Sequence, residues 1–87
     1  MDIIRTIIPV INQKFKPDAF LEVMFDPYDI ALRTNGHGQA ILVIIGKKNS
    51  NGNLHGAQYA RRFEFDSNDT LIADNWEYIG AVVLQMR

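Results

Sequence analysis

His37 and His55 are the only histidines in a chain of 87 residues, and imidazole is the side chain best suited to move protons or ligate metals near neutral pH. Both lie in Gly- and Asn-rich stretches, Asn35-Gly36-His37-Gly38 and Asn51-Gly52-Asn53-Leu54-His55-Gly56. Two imidazoles share a metal only if their loops meet, and consecutive hairpin loops of a meander leave the sheet from opposite ends. Neither histidine has a carboxylate close in sequence to set its tautomer, as ligands and bases usually have. They read as solvated loop histidines, so neither a metal site nor a catalytic residue is predicted.

The other reactive groups are no better placed. Asp18, Glu22, Asp26 and Asp29 cluster along the chain. Pro17-Asp18 is similar to the first half of a metal-nuclease pattern, but Val23 and Met24 stand where its second half needs a lysine. These acids read as turn and surface charges. The glycines never form a phosphate-cradling loop leading from a strand into a helix, and Ser50 and Ser67 have no implied base. An enzyme is therefore not argued for, and no cofactor or small-molecule substrate is implied.

Lys47, Lys48, Arg61 and Arg62 are the polar set with most potential. Folded as a hairpin they would form a basic ribbon flanked by Tyr59 and Phe63, suited to phosphate contact and base stacking. The plainer reading is a solvated edge, with lysines on a loop and arginines paired to acids across the sheet. A net charge of −1 favours the plainer reading, since a strongly basic nucleic-acid binder would not have it. The chain has no cysteine, which fits a reducing, cytoplasmic compartment. Met1-Asp2-Ile3-Ile4-Arg5 does not resemble a signal peptide, and no run is long enough to span a membrane.

The elements that must position these groups are organised around Ala40-Ile41-Leu42-Val43-Ile44-Ile45-Gly46, an apolar, β-branched run of strand length. A strand apolar on both sides belongs at the centre of a sheet. Before it, Ile4, Ile7, Ile8, Ile11 and Phe15 mark one face of a helix over residues 2–15, with Asp2 as N-cap. Pro9 implies a kink or a later start to that helix. Residues 19–25 alternate as a strand, although Pro17 could instead open a short helix. Residues 28–34 alternate again. A four-residue loop at 35–38 would then oppose Leu32 to Ile41, Ile30 to Val43 and Tyr28 to Ile45.

Residues 47–56 read as a long, dispensable polar loop, and 57–65 as a strand with Tyr59, Arg61, Phe63 and Phe65 on one face. Residues 66–75 read as a connection holding a helical turn capped by Ser67. The closing strand, Trp76 to Met86, is apolar on both faces from about residue 78. The prediction is a single α+β domain over residues 1–87, with one N-terminal α-helix packed on a mainly antiparallel sheet of four or five strands.

Counting faces gives the functional expectation. Two strands are apolar on both sides, yet one helix covers only one face of a small sheet. The other face would expose Leu42 and Ile44, with Tyr59 or Phe63 beside them, and large exposed apolar patches mark partner surfaces. The expected function is a small intracellular protein-interaction module or inhibitor, binding by surface complementarity without catalysis. Its expected partner is a second copy, as a homodimer, or another protein. A nucleic-acid-binding module using the hairpin at 47–62 is the alternative.

Overall fold

Ile4, Ile7 and Ile11 form the buried stripe of a helix, α1 (Ile3–Ile11), in the computed structural model, which describes residues 3–85. Pro9 sits inside α1, so the helix does not begin as late as Pro9, and it ends at Ile11 rather than Phe15. Beyond it the backbone turns to another partner: the Phe15 amide donates to the Gly38 carbonyl at 2.8 Å. Lys16-Pro17 reinforces the stop, because the residue before a proline is pushed out of the helical region. The predicted cap Asp2 and the strand end Met86 lie outside the described residues.

Five strands follow: β1 (Phe20–Phe25), β2 (Tyr28–Thr34), β3 (Ala40–Lys48), β4 (Asn53–Phe65) and β5 (Leu71–Gln85). They form one antiparallel sheet in chain order, with β1 and β5 at its edges. The α+β prediction holds, and residues 20–25 form a strand rather than a helix. Thr34 fastens the segment leading into β1: its hydroxyl accepts from the Ala19 amide at 2.9 Å and donates to the Lys16 carbonyl at 2.6 Å.

One turn design joins the last four strands. In Asn35–Gln39, Asn49–Asn53 and Asp66–Thr70 the first residue's Oδ1 accepts the amides two and four residues on. The fourth residue, Gly38, Gly52 or Asp69, has a positive φ. A side-chain oxygen bonded to its own turn's backbone is what makes Asn and Asp strong turn formers, and the left-handed fourth residue explains two of the glycines. Asp66, not Ser67, therefore organises residues 66–70, and no helical turn forms there.

The helix covers one sheet face. Ile30, Leu32, Val43, Ile45 and Tyr59 are buried there with α1, and Leu21, Val23, Phe25, Phe15 and Trp76 pack against them. The register of β2 on β3 differs from the prediction by two residues: Leu32 opposes Val43 and Ile30 opposes Ile45. The turn spans five residues, 35–39, rather than four, which moves the register by one, and the pairing irregularity at Arg33/Thr34 moves it by the other. The same side chains still face the helix, because a shift of two preserves the alternation.

The opposite face is covered at its centre, while Phe20 and Met24 of β1 stay exposed on it. Ala31, Ile44 and Leu54 are buried in a second cluster, with Val82 and Leu84 against it. Gly46 and Gly56 oppose each other beside this cluster. A Cβ on Gly46 would stand 1.9 Å from the His55 carbonyl oxygen, and one on Gly56 2.4 Å from that of Ile45. Only glycines let the two backbones approach so closely. Leu54, within the stretch predicted to be a dispensable polar loop, is fully buried, and the loop itself shrinks to residues 49–52.

Candidate interaction surface

The four basic side chains divide between the two faces of the sheet, because side chains of a strand alternate. Lys48 and Arg62 lie on the face away from the helix, Lys47 and Arg61 on the helix face. Lys48 Nζ reaches Glu22 Oε1 at 2.5 Å, and this contact holds its ammonium above the usual lysine range. Arg62 pairs with Glu77. Arg61 makes a two-pronged contact with Asp74, and its hydrogen bonds hold that carboxyl below the usual carboxylate range. Three of the four cations thus face carboxylates of this chain, and the predicted basic ribbon does not form as one surface.

Arg61 is also the hub of an aromatic cluster. Its guanidinium lies 4.9 Å from the Phe63 ring centre and 5.7 Å from that of Trp76. Tyr59 and Tyr78 meet edge to face at 5.5 Å. These contacts stiffen a projecting ribbon. Strand β3 accompanies β4 only as far as Ala60, and from Arg61 to Trp76 the β4–β5 hairpin continues alone around its 66–70 turn. Phe65, Leu71 and Ile72 near its tip are exposed.

The four residues predicted to share an interaction surface also separate. Tyr59 opposes Val43 and is buried in the helix-side core, while Ile44 is only 4% exposed within the opposite cluster. Leu42 is half-buried on the Ile44 side, and Phe63 half-buried on the Tyr59 side. Grouping them assumed that the sheet's second face lay open. Instead, close approach at Gly46 and Gly56 lets the face close on its own side chains.

The histidines lie at opposite ends of the sheet, His37 in the turn after β2 and His55 near the start of β4. Asn49 Nδ2 lies 3.0 Å from His55 Nε2. Among the described residues no group of three or more His, Cys, Asp or Glu side chains is placed to hold a metal ion. A cleft of about 590 Å³ opens between the end of α1 and the ribbon, with Gln13, Lys14 and His37 on one side and Phe63, Phe65 and Leu71 on the other. No described helix is long and apolar enough to cross a membrane.

What sequence reasoning missed is the outer edge of β5. Residues Tyr78–Gln85 contain neither charge nor proline, and their two-sided apolarity predicts a strand covered on both faces. They belong instead to the terminal strand of the sheet, with no neighbouring strand beyond them among the described residues. Tyr78, Ile79 and Val83 are exposed, Val83 at 58%. Natural edges are usually blunted by lysines, prolines, bulges or short length; here pairing slips once, at Ile79, and from Gly80 to Gln85 none of these is present. The signal was present in the missing charges, but a strand's place in the sheet is not encoded by its own composition. The chain matches no protein-family model, no curated protein and no solved structure.

Proposed function

We propose that the protein is a small protein-interaction module or inhibitor that acts by surface binding without catalysis, with the outer edge of β5 as its binding element. The observation that carries this reading is the uncharged, proline-free edge from Tyr78 to Gln85, flanked by exposed Ile79 and Val83. An open edge offers unpaired backbone amides and carbonyls, so an extended segment gains affinity from main-chain hydrogen bonds and specificity from alternate side chains. The pairing of Lys48, Arg61 and Arg62 with carboxylates favours this reading over nucleic-acid binding.

Peptides selected from a displayed library against the immobilised protein test the reading. Amide shifts on adding a selected peptide should concentrate in β5 and should not respond to moderate salt. Shifts confined to the cleft beside α1, or tight retention of DNA or RNA that weakens steeply with salt, would overturn it.

A further inference from the structure

We infer that the segment taken up by the β5 edge is the β5 of a second copy, paired antiparallel about a two-fold axis through Val82. This rests on the reading of that edge as a binding element and adds the identity of its occupant. A two-fold axis lays a strand against its own reversal, so a charge at or next to the axis would meet its own copy. Like charges directly opposite destabilise a strand pair. Tyr78–Gln85 contains no charge and escapes this penalty in any register.

The other edge does not. Strand β1 is six residues long and has Glu22 within it, tied to Lys48, with Asp18 and Asp26 beyond its ends. The first half of β5 is also unsuited, since it contains Asp74 and Glu77. Pairing β5 with β1 of another molecule would be head-to-tail and could propagate. Pairing β5 with itself closes at two copies, leaving the guarded β1 edges outermost.

Side-chain size selects the register. With the axis through Val82, Val82 meets its own copy, Ala81 meets Val83, and Gly80 meets Leu84. Each small residue then faces a large one. Gly80 has no heavy atom within 4 Å of where a Cβ would stand, so space is open on the side where Leu84 would arrive. The exposed Val83 side chain would be covered over Ala81. The product is one continuous sheet of ten strands, twice the five of each copy.

The wild-type chain tests this in two ways. Light scattering from low to high micromolar concentration should show a monomer–dimer equilibrium, and Val83→Lys should weaken it by about tenfold or more while preserving the circular dichroism spectrum. The chain has no cysteine, so single replacements report pairing cleanly. Val82→Cys should form a disulfide dimer under mild oxidation faster than Val83→Cys, because opposed residues of an antiparallel pair lie within disulfide reach. Faster cross-linking of the more exposed Val83→Cys would mean random collision and would overturn the register. A monomer at every concentration would overturn the dimer. Binding of library-selected peptides to β5 in that monomer would leave the edge's role as a binding element standing.

Discussion

Arg61 donates two hydrogen bonds to Asp74 across the β4–β5 ribbon, from Nε at 2.7 Å and from Nη2 at 2.6 Å. The pair stands where the ribbon leaves the rest of the sheet. Only 9% of the arginine side chain is exposed, so its charge depends on this partner. Removing one member of a fully buried pair costs about 3–5 kcal/mol, but solvent reaches a third of Asp74 and screens the contact. Asp74→Asn should therefore cost about 1–2 kcal/mol in urea unfolding. It should also loosen the tip, seen as faster amide exchange from residue 63 to 72.

The same contact sets an acid dependence. Asp74 has a lowered folded-state pKa, so its unfolded form binds protons more readily than its folded form. Its contribution is fully present above the ordinary carboxylate pKa near 3.8 and disappears as pH falls through the lowered value. Stability measured from pH 6 downward should therefore fall less steeply below about pH 4 in Asp74→Asn than in the wild type. Identical acid limbs would show that the pair contributes nothing.

Leu54→Ala should cost about 2–5 kcal/mol, the range for a large buried aliphatic side chain. Leu54 has no exposed surface, and the second cluster closes around it. Replacing residues 48–55 by a short turn should abolish cooperative unfolding for the same reason. An unchanged melting temperature in either variant would mean that the second cluster is not part of the core.

Gly56→Ala should cost about 3 kcal/mol or more, because the added Cβ meets the backbone of β3 at Ile45 rather than a side chain that can swing away. Gly36→Ala is the matched control. There the nearest heavy atoms lie at 3.8 Å in the Asp18 carboxylate, so the change should stay within about 0.5 kcal/mol. Denaturant midpoints of the two variants decide the matter.

Asn49 fixes the tautomer of His55. Its Oδ1 is committed to the amides of Asn51 and Asn53, so Nδ2 is the group that faces His55 Nε2. Nε2 must then accept, leaving the proton on Nδ1. Nitrogen-15 spectra of the neutral imidazole should show Nε2 unprotonated, and Asn49→Ala should restore the usual mixture. That variant should also cost about 1 kcal/mol, since two turn amides lose their acceptor.

Most of the elements were legible in their alternation. Tyr28, Ile30 and Leu32 against Asp29, Ala31 and Arg33 could be nothing but a half-buried strand, and Ile4, Ile7 and Ile11 marked the helix. The failures have a common physical cause. Asn53 to Gly56 looks like loop because its composition is mostly polar, and Leu71 to Asn75 because its short apolar patch does not alternate, yet both are strand because a neighbour supplies what they lack: Leu84 opposite Leu54, and Arg61 bonded to Asp74. The candidate site was hidden for a related reason. Apolarity on both faces of residues 78–85 is equally compatible with a central strand and with an edge awaiting a partner, and only the pairing order separates the two.

Strand order has a temporal consequence. Each strand pairs only with its neighbours along the chain, so the sheet can be completed by successive short-range closures, without waiting for remote segments to find each other. During synthesis β1 to β4 are available before β5 emerges, and in that interval β4 is the open edge. Its charges, Arg61, Arg62 and Glu64, stand in the part that projects past β3, while residues 53–60 beside β3 contain no lysine, arginine or carboxylate. The uncharged part of β4 is the part that pairs with Tyr78–Gln85, so the arrival of β5 moves an uncharged margin outward by one strand rather than creating it.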